Sequence, residues 1–198
     1  MLAPFAATLK DGQSVMLRGI APDDAESLRL FHEGLSERTV YLRFFAPHPH
    51  LSESDLEYFT HVDQRSRVAL VAVVDDVIVG VGRYDLIDEH TAEVAFVVTD
   101  AMQGKGVAGL LLSRLARIAR DHGVGEFTAE VLATNTGMIE TFRHSGFAVA
   151  ECREDGVLTV TFPLEVQAAA TATERAPHPD AAPAPGCPGG PEGSCPPR

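Results

Sequence analysis

Basic residues are scarce in this sequence: 16 Lys and Arg stand against 28 Asp and Glu, for a formal charge of −12. Nucleic acid and anionic membrane both demand a basic footprint, so neither is an expected partner. An acidic chain suits something basic instead, such as an amine or a lysine-bearing protein. Cysteine is scarce as well. Cys152, Cys187 and Cys195 are an odd set, two of them in a Pro/Gly-rich end. They make neither a disulfide framework nor a metal site, so no metal is expected, and a reducing, cytoplasmic setting is. Long apolar runs are missing too. No stretch nears the ~18 residues that suggest a membrane span. Met1 to Lys10 has no basic segment ahead of an apolar one, the mark of a secretory leader.

What is present reads as one domain with a tail. Composition changes after about Val166. Residues 167–198 are mostly Ala, Pro and Gly, with no aromatic and no β-branched run, and cannot bury enough to order themselves. The first dozen residues also read as loose. The folded domain is placed at 14–166 and a disordered tail at 167–198.

Within the domain, Ser14 to Ile20 is a short strand. Pro22-Asp-Asp-Ala-Glu opens a helix with acidic first-turn residues, continuing to about Ser36. A short helix over Glu37 to Arg43 is broken by Pro47 and Pro49, and a third begins at Ser52 or Ser54 as the cap. Val68 to Val74 and Val77 to Tyr84 flank Asp75-Asp76, a tight hairpin turn. Ala92 to Thr99 has apolar residues on both faces, which predicts a central strand covered on both sides. Gly106 to His122 is an amphipathic helix, stopped by Gly123. Phe127 to Leu132 is a strand, Asn135 to Ser145 a short helix, and Phe147 to Cys152 with Leu158 to Phe162 a final hairpin. Alternation of this kind is an α/β pattern.

The stretch Gln103-Gly104-Lys105-Gly106-Val107-Ala108 follows the central strand and runs straight into the long helix. The first four N–H groups of a helix have no internal partner, and its dipole puts roughly half a positive charge there. Small residues let a pyrophosphate approach that backbone closely, and Gly104 and Gly106 supply the permissive dihedrals. Lys105 is either an exposed loop lysine or a point charge near the phosphates. A P-loop is excluded because no Gly-Lys-Ser/Thr follows. A dinucleotide fingerprint is excluded because it requires a first βα unit and an acidic residue at the next strand's end.

These residues resemble the GCN5-related N-acetyltransferases (GNAT), whose Gln/Arg-x-x-Gly-x-Gly/Ala loop is similar to Gln103 to Ala108. A second signature is similar as well: Asn135-Thr-Gly-Met-Ile-Glu-Thr-Phe142-Arg-His-Ser-Gly146-Phe147 resembles the family's Asn-led helix ending in Gly-Phe. The resemblance spans about Val15 to Leu164. It implies an α/β fold with a mixed, mostly antiparallel sheet of about six to seven strands flanked by helices. It also implies acetyl-CoA as co-substrate. A narrower likeness lies in Ser36-Glu-Arg-Thr-Val-Tyr-Leu-Arg-Phe-Phe45, Pro47, Leu51-Ser52, and Val62-Asp63 to Ala72. These resemble the bacterial protein lysine acetyltransferases (Pat type). That resemblance implies transfer to a lysine Nε, with AMP-forming acyl-CoA synthetases as the group's usual targets.

A lysine amine of pKa ~10.4 costs roughly 4.6 kcal/mol to present deprotonated at neutral pH, so a base is required. Glu93, on the central strand with Ala95 and Val97 on the same face, is the candidate. A carboxylate on an apolar face is expected to have a raised pKa, and the Pat-type enzymes carry a glutamate at the matching place. His61, His90 and Asp63 are the rivals, each with an ordinary surface or turn-capping reading beside it. The family resemblance assigns the backbone of Phe96, Val97 and Val98 to the pantetheine arm, and Asn135 to the same arm, although Asn is also a favoured N-cap. Gln103 to Ala108 take the pyrophosphate. Where many family members place a tyrosine to protonate the leaving thiolate, this chain has Phe142. Arg43, Phe44 and Phe45 are assigned to the acceptor wall, with core packing open for the two phenylalanines. A small-amine acetyltransferase and a non-catalytic acyl-CoA sensor are the competing readings.

Overall fold

The computed structural model describes residues 2–164, so the tail expected over 167–198 lies outside the described residues. In chain order the elements are β1 (Phe5–Thr8), β2 (Ser14–Gly19), α1 (Ala25–Glu33), α2 (Glu37–Phe44), α3 (Glu53–Thr60), β3 (Arg67–Val74), β4 (Val77–Leu86), β5 (Thr91–Val98), α4 (Val107–Asp121), β6 (Glu126–Leu132), α5 (Thr136–Arg143), β7 (Ala150–Glu154) and β8 (Val157–Pro163). Local chemistry explains most of them. Asp75 and Asp76 both take positive φ, 47° and 63°, the geometry of the two-residue hairpin between β3 and β4. Ser36 accepts the Thr39 N–H and so caps α2. α1 itself ends at Glu33 with Gly34 as its C-cap, so the helix does not run on to Ser36.

The strands form one eight-stranded sheet in the order β1-β2-β3-β4-β5-β6-β8-β7. Every pairing is antiparallel except β5 with β6. The strand beyond the expected six to seven is β1. Its residues Phe5 to Thr8 pair with Leu17 to Ser14, where the sequence reading placed loose chain. All but one of its side chains are exposed, and an edge strand that buries so little leaves no hydrophobic alternation to read.

Helices cover both faces, as an α/β architecture requires. On one face Leu28 and Phe31 of α1 and Leu56 of α3 pack with Ala69, Val71 and Ile78. On the other, Leu111, Leu112 and Leu115 of α4 pack with Val68, Leu70, Phe96 and Phe127. Each such fully buried side chain contributes roughly 1.5–3 kcal/mol. Two glycines bring α4 close to the sheet. A Cβ on Gly80 would lie 2.9 Å from Val107 Cγ1, and one on Gly82 would lie 2.9 Å from Phe96 Cδ1 and 3.1 Å from Leu111 Cβ.

The expectation that β5 is covered on both sides needs correction. Ala92, Val94, Phe96 and Val98 are buried, but Ala95 and Val97 are half-buried and Glu93 is exposed. The second face opens onto cavities, because α1 to α3 do not close over it.

Candidate functional site

The sheet comes apart at one place. Strands β5 and β6 pair over three rungs, Thr91 with Glu126, Ala92 with Phe127 and Glu93 with Thr128, and then stop. Past Glu93, β5 keeps its partner β4 as far as Gly80–Val98, and β6 keeps β8. Among the described residues no strand fills the gap between the edges that face each other. Between them runs a groove made of two cavities of about 230 Å³ each, which share Leu42, Arg43, Phe96, Asn135 and Met138. One end reaches Glu93 and Glu130. The other reaches Gln103, Gly104, Gly106 and Ala108. Val98 lies five strand steps from Glu93, about 17 Å at ~3.3 Å each, so the groove suits a long ligand with phosphate at one end and its reacting group at the other.

The end of the groove at α4 is built from backbone. Gly104 and Gly106 have φ of 76° and 98°, which a residue with a Cβ enters only at a cost. Side chains cap α2, α3 and α5, whereas no side chain caps α4. The first N–H groups of α4 therefore remain for an anion. Val107 is buried, so it offers its N–H and not its side chain. Phe96 and Val98 are likewise buried while lining the groove, and it is their backbone that a ligand would meet.

Gln103 lines the groove, but its amide is engaged. It donates to Thr39 Oγ1 at 3.1 Å and to the Val98 carbonyl at 3.3 Å, which fixes the loop against α2 and the end of β5. Asn135 accepts the Met138 N–H at 3.2 Å and caps α5, and it also lines both cavities.

Lys105 is not in the groove lining. Its ammonium lies 3.1 Å from Asp11. The lysine that lines the groove is Lys10, whose stem passes 3.5 Å from the place a Cβ on Gly106 would occupy. Its backbone N–H donates to the Lys105 carbonyl at 3.1 Å. Sequence reasoning missed Lys10 because it stands 95 positions from the cradle, in a segment taken as loose. One signal existed: Lys10 and Lys105 are the only two lysines in the sequence.

The candidate bases separate clearly. Glu93 lines the groove where the strands part. It is exposed, so the burial inferred from its apolar neighbours on the strand is not there. Asp63 is a turn cap: it accepts the N–H groups of Arg65, Ser66 and Arg67 at 2.9 to 3.0 Å and the Ser66 hydroxyl. Desolvation acts to raise its pKa, but the Ser66 hydroxyl and the three N–H groups outweigh it and push the carboxyl down to about 2. A carboxylate so weakly basic and so fully bonded is a poor proton acceptor. His61 caps the end of α3 near the Glu57 carbonyl, and His90 sits in the turn organised by Asp88. Neither lines the groove. Phe142 is buried against Phe96 and Phe162 and reaches the groove wall with nothing to donate. Phe44 and Phe45 also reach that wall beside Glu93.

Comparison with known proteins agrees with this geometry. The GNAT domain of S. lividans PAT superposes with a TM-score of 0.77 at 41% identity, covering 81% of this chain and 96% of that domain. Acetyltransferase PA5475 of Pseudomonas aeruginosa is 29% identical over 148 residues, 72% of this chain and 80% of that protein. The structure of yncA from Salmonella typhimurium, solved with its cofactor acetyl-CoA, has a TM-score of 0.63 at 21% identity, covering 80% of this chain and 98% of that one. The acetyltransferase (GNAT) family model matches residues 29–147. A parted β5–β6 pair leading to an uncapped helix start, on a chain with these relatives, belongs to the GNAT family of N-acetyltransferases.

Proposed function

We propose that this chain transfers acetyl from acetyl-CoA to the Nε of a protein lysine, by direct attack of the amine with Glu93 as general base. The observation that carries this reading is the position of Glu93. It is the last paired residue before β5 and β6 part, at the opposite end of the groove from the start of α4. Pyrophosphate on the α4 N-terminus would lead the pantetheine arm along Val98, Val97 and Phe96 and bring the thioester toward Glu93. The lysine nitrogen attacks the thioester carbon, its proton passes to Glu93 directly or through water, and the C–S bond breaks as CoA thiolate leaves. A thiol of pKa ~8.5 leaves without an acid, which fits Phe142 in place of a proton donor. Exposure does not disqualify Glu93, since burial of an acceptor chain supplies the desolvation that makes a carboxylate a stronger base.

The likeness to a Pat domain over nearly its full length favours a protein acceptor, with an AMP-forming acyl-CoA synthetase as the first partner to try. Such a synthetase, incubated with acetyl-CoA and this protein, should gain acetyl-lysine detectable by mass spectrometry. Glu93→Gln should lower the rate by about 10²–10⁴ with acetyl-CoA affinity unchanged. Turnover on polyamines without any acetyl-lysine would sink the protein-acceptor reading. Tight acetyl-CoA binding without turnover on any amine would leave a sensor.

A further inference from the structure

Among the described residues, acetyl transfer to lysine leaves the one cation that lines the reacting end of the groove without a task. Arg43, on the last turn of α2, lines both groove cavities and also a third cavity of about 40 Å³, between the α1–α3 layer and the sheet face that carries Ala95 and Val97. Arg43 is half-buried. Among the described residues its guanidinium has no hydrogen-bond or ion-pair partner, and it lies over the Phe44 ring, 5.1 Å from the centroid, a weak cation–π contact. Other arginines nearby are committed. Arg83 and Arg67 share Asp85, with contacts of 3.0 to 3.2 Å.

The surroundings do not favour this cation. Burial, and then the Arg83 guanidinium, push the Arg43 pKa down from the usual arginine value, while Glu93 and Asp85 offset them in part without reaching pairing distance. Glu130, on β6, faces the same groove. Arginine does not give up its proton, so a positive charge stays among walls that are mostly apolar. Its place at the negative end of the α2 dipole compensates only a fraction of that charge. Neither of the proposed substrates explains it, since an acetyl methyl is apolar and a protonated amine would be repelled.

We infer that Arg43 binds a carboxylate at the reacting end of the groove, carried either on the far end of a dicarboxylic acyl chain or on the acceptor beside its amine. The guanidinium fork suits a carboxylate through two parallel N–H donors. The 40 Å³ cavity beside Arg43 and Arg83 has room for only a short acyl terminus. This rests on reading the groove as an acyl-CoA site.

The test uses Arg43→Gln and Arg43→Lys in the full chain, with thermal melts to establish that each folds. In the donor arm, acetyl-CoA and succinyl-CoA are titrated by calorimetry, which needs no turnover. In the acceptor arm, KM is compared for lysine against cadaverine, and for peptides bearing Glu against Gln beside the lysine. The expected result is that Arg43→Gln weakens the carboxylate-bearing member of one arm by about 10- to 100-fold, as loss of a charge-assisted pair implies. The carboxylate-free member loses at least fivefold less than its carboxylate-bearing counterpart, and Arg43→Lys recovers part of the difference. The arm that responds names the source of the carboxylate. Equal losses on both members, or no loss in either arm, overturn the inference. Absence of turnover on every amine counts against the proposed transfer instead, and the donor arm then decides the carboxylate site alone.

Discussion

Asp100 accepts the Thr39 hydroxyl at 2.8 Å, one of several contacts that tie helix α2 to the loop that leads into α4. The same carboxylate accepts the Ser36 N–H at 3.0 Å and the Ser36 hydroxyl at 2.7 Å. Thr39 in turn accepts the Gln103 amide at 3.1 Å. Arg43, one turn further along α2, and the cradle are thereby held in one frame. Asp100→Ala should cost about 1–2 kcal/mol of stability through the lost hydrogen bonds from Ser36 and Thr39. It should also weaken acetyl-CoA binding, because Gln103 loses its anchored partner. Urea titration and calorimetry read the two effects separately, and unchanged cofactor affinity would show that the frame does not set the cradle.

Lys10 and Lys105 should behave differently despite lying next to each other. Lys10→Ala removes the lysine side chain that lines the groove beside Gly106; acetyl-CoA affinity should fall several-fold and become less sensitive to salt. Lys105→Ala removes a partner of Asp11, and affinity should stay within twofold. The opposite order would assign the phosphate contact to Lys105.

Gly82→Ala puts a methyl 2.9 Å from Phe96 Cδ1 and 3.1 Å from Leu111 Cβ. Both neighbours belong to packed elements, so the helix or the ring must shift, at about 1–3 kcal/mol. Because Phe96 lines the groove, weaker acetyl-CoA binding should accompany the lower urea midpoint. Full stability in the variant would mean that α4 can retreat without strain.

Asp63 gives a pH dependence of fixed sign. Its folded-state pKa, about 2, lies below the unfolded value of 3.8. Its contribution to stability is therefore complete above pH ~4 and is lost as pH falls from about 4 through about 2. Asp63→Asn should flatten the stability curve across that window, measured by denaturant unfolding at steps of pH. Activity near neutral pH should survive, since Asp63 only caps a turn; a large loss of kcat with the fold intact would return it to the list of bases.

Much of the fold was legible because its causes are local. The 3.6-residue pattern of Leu111, Leu112, Leu115 and Ile118 marks α4. The Asp75-Asp76 turn and the Ser52 cap depend on residues no more than three positions apart. The cradle belongs to the same class, since the positive φ of Gly104 and Gly106 and the helix that follows lie in one short stretch. Strand β1 escaped because it is held by backbone pairing with β2 and buries almost nothing. Asp63 carried two readings in the sequence, and four short contacts chose the turn cap.

The sequence by itself determined the order of elements, the anion-ready start of α4 and the presence of a glutamate on the strand before it, because periodicity, capping and glycine dihedrals act between near neighbours. Only the tertiary structure decided that β5 and β6 separate just past Glu93, that Lys10 rather than Lys105 lines the groove, and that the Arg43 guanidinium meets no hydrogen-bond or ion-pair partner among the described residues. Each of those is a relation between segments tens of residues apart, set by which edges pair and which side chains reach one another once the two faces of the sheet are packed.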